Sequence, residues 1–141
     1  MTVFDPIERT EVLPANHLIS KFDYLNGSGR QAAQQVRDHV EQIFAHYPAI
    51  HADEMCRRLR SRDDTLHQSA FFELILHELL IRQGFTIEEV EPVLENGRAP
   101  DFLVASPQGE RFYLEATLAS GQPAATAGAE QRMREALQAI D

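Results

Sequence analysis

The sequence has few of the features that mark disulfide-rich, membrane or secreted proteins. It has one cysteine, Cys56, and no tryptophan in 141 residues, and a lone cysteine cannot build an internal disulfide framework. No stretch approaches the roughly 20 uncharged apolar residues that cross a bilayer, and the N-terminus lacks the basic and then hydrophobic pattern of a signal peptide. We therefore expect a cytoplasmic protein with a reduced thiol and no membrane partner.

Positive charge is also scarce. The formal net charge is −9, and Lys21 is the only lysine, so arginine carries nearly all of the positive charge. This charge balance argues against a wholly basic surface that binds nucleic acid without sequence specificity. It does not exclude binding through a local basic patch. The one basic cluster, four arginines within residues 57–62, is interpreted as a solvated helix, with phosphate contacts as the alternative.

The sequence does contain a clear succession of helical and strand patterns. Residues 1–28 are predicted to be irregular, and Gly84 is a stop signal for the longest helix. Three β-rich segments follow that helix. Apolar residues at helical spacing predict helices at residues 30–47, 51–60, 65–83 and 129–140. The chain is therefore predicted to be an α/β protein, with an α-β-β-β-α core over residues 65–141 and a helical extension over residues 1–64 that packs on it.

Two acids lie where a buried strand would not normally carry charge. Asp101 opens one apolar segment, and Glu115 lies inside the next. If these segments form a hairpin centred on Gln108, the two acids face each other with Cβ atoms about 4.5–5.5 Å apart, where like charges are destabilising. Either one acid takes up a proton with a raised pKa, or a divalent cation neutralises the pair. A register shift of one residue would separate them, and the ordinary alternatives are a polar strand start for Asp101 and an outward residue for Glu115.

A third acid, Glu73, falls on the apolar side of the long helix when residues are spaced at about 100°. An unpaired carboxylate in that position is costly. The ordinary interpretation is a structural glutamate that pairs with His77, one turn later, or with an arginine. Glu78 and Arg82, by contrast, form an i,i+4 pair on the opposite face.

The order of these acids resembles the PD-(D/E)XK nuclease superfamily, which has the restriction-endonuclease-like fold. A helix with an inward Glu73 is followed by a strand, by a P-D pair at Asp101 that opens a second strand, and by Glu115 in a third. The likeness covers about residues 65–141, and the N-terminal extension resembles that of uncharacterised bacterial members. The resemblance implies a mixed central sheet flanked by helices, with a fourth core strand. Because this sequence ends before such a strand, we expect the natural chain to continue.

The resemblance further implies metal-dependent hydrolysis of phosphodiester bonds in nucleic acid, which we expect to be DNA. Asp101 and Glu115 would hold Mg²⁺ or Mn²⁺, with Glu73 as a further ligand, and the metal would polarise the phosphate and lower the pKa of a bound water. The family usually has lysine where this chain has Thr117. Threonine can hydrogen-bond a water but carries no charge. The alternative is therefore a catalytically degenerate nuclease-fold module that acts in binding or protein interaction.

Overall fold

The computed structural model describes residues 1–11 and 18–118. Within this part of the chain, helices come first and a small sheet follows. The helices are α1 (Lys21–Gly27), α2 (Gln31–Phe44), α3 (Ala49–Leu59) and α4 (Asp64–Arg82). The strands are β1 (Thr86–Val90), β2 (Phe102–Ala105) and β3 (Arg111–Leu114). The fold class is therefore α/β, and the order α-β-β-β predicted from residue 65 onwards is confirmed up to β3. The helix predicted at residues 129–140 lies outside the described residues.

The short helix α1 lies in a segment that the sequence predicted to be irregular, and that prediction is wrong. Its 7 residues are fewer than the window of about 11 residues in which helical periodicity can be recognised. The local signal is the N-cap Ser20, whose side chain accepts a hydrogen bond from the backbone N–H of Asp23. In the described residues, three helices rather than two therefore precede α4.

The longest helix, α4, is fixed at both ends by local interactions. Asp63 is its N-cap and accepts a hydrogen bond from a backbone N–H of the first turn. At the other end, Gly84 has a φ of 85°, a left-handed conformation that glycine adopts without strain. The N–H of Gly84 donates to the carbonyl of Ile81, and the N–H of Phe85 donates to that of Leu80. This pair of bonds is a Schellman motif, and it turns the chain directly into β1.

The sheet is a meander in which β2 lies between β1 and β3. The predicted hairpin register is confirmed, because Leu103 faces Tyr113 and the neighbouring pairs follow in step. Continuing that register beyond the last pair would set Asp101 opposite Glu115. Both strand pairs in the described residues are antiparallel. The mixed sheet implied by the resemblance is therefore not seen in them, since a mixed sheet needs a parallel pair.

The core is formed around α4, which contacts α1, α2, α3 and β1. Phe102 and Val104 of β2 are both fully buried, as expected for alternate residues on the inner face of a strand. The helices bring further buried side chains to the same core, namely Val40, Ile43, Met55, Leu59 and Leu74. Because α4 is enclosed by the other helices and the sheet, polar residues on more than one of its sides are buried. None of the described helices has the length and apolar character needed to span a membrane.

Candidate active site

Two of the predicted site residues, Glu73 and Asp101, come together between α4 and the start of β2. Glu73 is buried, with 11% of its side chain exposed, and Asp101 is half-buried. Burial raises the pKa of the Asp101 carboxyl to about 6, and charge repulsion by Glu73 and a hydrogen bond from the protonated Asp101 to Glu73 act in the same direction. The backbone N–H of Ala116 and the charge of Arg58 oppose this rise. The two carboxyls therefore form an acid pair that holds a proton more tightly than an isolated aspartate does.

The cation beside this acid pair is Arg58, which comes from α3. Its Nη2 donates to Oε2 of Glu73 at 2.5 Å, and 16% of the Arg58 side chain is exposed. The hydrogen bond to Glu73 raises the pKa of the guanidinium, which keeps it charged. The ordinary interpretation of Glu73, a buried glutamate paired with an arginine, thus describes one half of its surroundings. Asp101 is the second charged neighbour of Glu73, and the pairing of Glu73 with Arg58 does not explain why another acid lies beside it.

The basic cluster that contains Arg58 is only partly a solvated helix face. Arg57 is exposed, and 79% of the Arg62 side chain is exposed. Arg60, in contrast, stacks over the ring of Phe22 with its guanidinium carbon 4.9 Å from the ring centroid. The prediction of a solvated helix therefore holds for Arg57 but not for Arg58 and Arg60. Arg62 is exposed but lies between α3 and α4, outside both helices. Periodicity could not separate these arginines because it does not show which neighbours approach each face.

Tyr47 is a neighbour of the acid pair that no sequence pattern indicates. Burial raises the pKa of its phenol far above the usual range, and the negative charge of Glu73 adds to the effect. The Tyr47 ring packs against His77 at 4.9 Å between centroids, and His77 in turn packs against Phe102 at 5.8 Å. Burial lowers the pKa of His77, and its Nδ1 has no hydrogen-bond partner. His77 is therefore a neutral packing residue, not the partner of Glu73.

Glu115 and Thr117 lie just beyond the end of β3, and both are exposed. The backbone N–H of Ala116, between them, donates to Oδ2 of Asp101 at 2.6 Å. This bond holds the segment beside Asp101, but within the described residues no hydrogen bond or ion pair joins Glu115 or Thr117 to the acid pair. Nor do residues 1–11 and 18–118 contain a group of three His, Cys, Asp or Glu side chains placed to hold a metal. The predicted convergence is thus seen for Glu73 and Asp101 and not for Glu115.

A second buried acid, Glu78, lies on another side of α4. It accepts hydrogen bonds from Nε of Arg82 at 3.0 Å and from Nδ1 of His46 at 2.9 Å. Although burial raises the pKa of Glu78, these bonds outweigh it and the pKa lies below its ordinary value. The i,i+4 pair is confirmed, but Glu78 is buried while Arg82 is exposed. Glu78 also pairs with His46, which the sequence did not connect with it.

The raised pKa of Asp101 predicts a specific pH dependence of stability. The folded protein binds this proton more tightly than the unfolded chain, since the pKa is about 6 against an ordinary value of 3.8. The free energy of unfolding should therefore fall as the pH rises through that interval. Urea unfolding of wild type and Asp101→Asn, at pH values of about 4, 5, 6 and 7, measures the difference. Wild type should lose stability relative to the variant over this range. A constant difference would contradict the assignment, and Asp53→Asn, on the exposed side of α3, is the control.

The pairing of Arg58 with Glu73 predicts strong coupling between the two residues. Arg58→Ala leaves a buried carboxylate without its cation, which should cost about 3–5 kcal/mol in unfolding free energy. Glu73→Gln in the same background should recover most of that loss, because the uncompensated charge is then removed. Arg62→Ala is the matched control, since its exposed pair with Asp23 should contribute less than about 1 kcal/mol. A loss for Arg58→Ala no greater than for Arg62→Ala would show that the pair is unimportant.

Known proteins offer no assignment for this arrangement: no family model, curated protein or solved structure matches the chain. What the site can do is therefore argued from its own residues. These are the buried Glu73, Asp101 with its raised pKa, and the single guanidinium of Arg58 beside them.

Proposed function

We propose that this protein hydrolyses phosphodiester bonds of nucleic acid, with DNA as the substrate, in a reaction that depends on Mg²⁺ or Mn²⁺. The observation that carries the proposal is the acid pair itself. Burial, together with the charge of the neighbouring Glu73, raises the pKa of Asp101 to about 6. Carboxyls whose charges are mutually unfavourable are a common feature of functional sites. A bound cation is the usual means of stabilising both in the ionised form.

The free oxygens of the pair suit a hard cation. One oxygen of Glu73 accepts from Arg58, and one oxygen of Asp101 accepts from the N–H of Ala116. The other oxygen of each carboxyl stays available for the shared proton or for a cation that replaces it. Mg²⁺ is commonly bound through one or two carboxylates and completes its shell with waters and substrate phosphate. The residues present therefore fit such an ion, which when bound would polarise the phosphate and lower the pKa of an attacking water.

The exposed residues after β3 have roles on the substrate side of this site. Glu115 would lie opposite Asp101 if the hairpin register continued, and the bond from Ala116 to Asp101 keeps the segment in place. We assign Glu115 as the further carboxylate that engages the cation once substrate is bound. Thr117 would orient a water through its hydroxyl, which can donate and accept hydrogen bonds. The proposal depends on Glu73 and Asp101, and the roles of Glu115 and Thr117 are additions to it.

A catalytically degenerate nuclease-fold module that binds nucleic acid or protein is the second candidate. Thr117 favours it, because no charged side chain occupies the position where the family usually has lysine. The ion pair between Arg58 and Glu73 also favours it, because it compensates one carboxylate without a metal. The two candidates differ in whether a divalent cation binds and whether cleavage follows.

Cation binding should be visible as thermal stabilisation. Mg²⁺ or Mn²⁺ should raise the melting temperature of wild type, by mass action on the folded state, and Asp101→Asn should abolish the increase. Because the cation competes with a proton on a carboxyl of pKa about 6, the increase should be larger at pH about 7.5 than at about 5. Glu95→Gln, at an exposed position away from the pair, is the control. An unchanged increase in Asp101→Asn would place the cation elsewhere.

Cleavage of plasmid and linear DNA tests the enzymatic proposal directly. Wild type should cleave with Mg²⁺ and not with a chelator, and Asp101→Ala should remove the activity because a ligand of the cation is lost. Glu115→Ala should remove it as well, and Thr117→Lys should retain or increase it. Cleavage that survives Glu115→Ala would show that the assignment of this residue is wrong. A wild type that binds cation or DNA but does not cleave would favour the degenerate module.

A further inference from the structure

Arg58 has a position that a purely structural ion pair does not require. It reaches the acid pair from α3, in the N-terminal extension, while the acids belong to α4 and to the start of β2. Its charge acts on Asp101 and on Tyr47 as well as on Glu73. In the part of the chain that is described, it is the arginine that forms an ion pair with this acid pair. The guanidinium therefore lies where a substrate phosphate bound near the two carboxyls would arrive.

The hydrogen bonds of Arg58 are also incomplete. A guanidinium has five N–H donors, and it commonly binds a carboxylate through two parallel bonds. Here only Nη2 donates to Glu73. The Nε atom is buried without a hydrogen-bond partner, and the carboxylate of Glu54 lies 3.9 Å from it, beyond hydrogen-bond distance. A buried donor without a partner is costly, but Nε is too enclosed to meet a substrate. Contact with an anion beside the pair would therefore be made by the N–H groups of the two Nη atoms that do not bind Glu73.

Among the described residues, no second cation forms an ion pair with Glu73 or Asp101. Thr117 is uncharged, and it directly follows Ala116, whose N–H contacts Asp101. Arg58 contacts Glu73 from α3, and the residue that precedes Thr117 contacts Asp101 from the segment after β3. A positive charge at residue 58 or at residue 117 would attract a phosphate bound at the acid pair, because the attraction depends on the distance between the charges and not on which helix or strand holds the side chain.

We propose that Arg58 binds the substrate phosphate and supplies, from α3, the positive charge that position 117 does not. The inference rests on the proposed phosphodiester hydrolysis. In that reaction water forms a bond to phosphorus, the bond from phosphorus to the leaving oxygen breaks, and negative charge builds up on the phosphate oxygens. Arg58 neither gives nor takes a proton; its planar, permanently charged fork matches the geometry of those oxygens.

The decisive variant is Arg58→Gln, because glutamine retains a hydrogen-bond donor for Glu73 and removes the charge. Its rate of Mg²⁺-dependent DNA cleavage should fall by about 10²–10³-fold, the usual effect of losing one group that stabilises transition-state charge. Adding Thr117→Lys should restore the rate by about tenfold or more, because a positive charge returns to the pair. Arg57→Gln, at the adjacent exposed arginine, should leave the rate unchanged.

Binding provides a readout that does not depend on cleavage. A duplex oligonucleotide is titrated with the protein in Ca²⁺ at several salt concentrations. Loss of one phosphate contact should make the slope of log K against log salt shallower by about 0.9. Arg58→Gln should show this change and Arg57→Gln should not. Thermal unfolding of each variant, followed by circular dichroism, reports whether it is folded.

The outcomes separate this inference from the function on which it rests. If wild type does not cleave DNA, the hydrolysis proposal fails, and Arg58 is judged by the salt slope alone. An unchanged slope for Arg58→Gln overturns the inference, and so does an unchanged cleavage rate in an active protein. Loss of cleavage that Thr117→Lys does not relieve, together with loss of cooperative unfolding, would assign Arg58 to the fold and also overturn it.

Discussion

The burial of negative charge on α4 is the constraint on which the rest of the structure depends. This helix is enclosed by other helices and the sheet, and it carries two buried acids, Glu73 and Glu78. A buried carboxylate is tolerated only when it is paired or protonated. Arg58 forms an ion pair with Glu73, while Arg82 and His46 pair with Glu78. Because Arg58 and His46 precede α4 in the sequence, the N-terminal helices are part of the charge balance of the site and not an accessory to the sheet.

The features that could be predicted from the sequence are those set by neighbouring residues. The N-cap Asp63, the left-handed Gly84 and the hairpin register all depend on signals within a few positions. The two partners that reach the buried acids from other parts of the chain do not depend on local signals. Arg58 lies 15 positions from Glu73, and His46 lies 32 positions from Glu78. Helical periodicity indicates the direction in which a side chain points, but it contains no information about which distant residue will be found there. The three helices that were predicted in residues 30–83 were therefore placed correctly, and so was the local pair of Glu78 and Arg82, whereas Arg58 and His46 were not identified as partners of the buried acids.

The interpretation of Asp101 shows again that local sequence patterns do not identify a partner that is distant in the sequence. The sequence predicted that an acid at this position must share a proton or a cation with a neighbour, and the raised pKa of about 6 agrees with the first possibility. The neighbour was expected to be Glu115, on the basis of the hairpin alone. The ladder ends at the pair of Phe102 and Leu114, so nothing forces Glu115 against Asp101, and it is exposed. Burial raises the pKa of Asp101 instead, and the neighbour that adds to the rise is Glu73, which lies on α4.

The charge of the site determines what it can attract. With Asp101 ionised, the two carboxylates and Arg58 carry one net negative charge, in a protein whose formal net charge is −9. Such a site repels a phosphodiester, and protonation of Asp101 only brings its charge to zero. A divalent cation on the pair would reverse the sign, and this reversal would act at close range, where screening by salt is weakest. The same ion would satisfy the carboxyl oxygens that Arg58 and Ala116 leave free. An acidic protein could in this way bind nucleic acid at one place without the basic surface that its composition excludes.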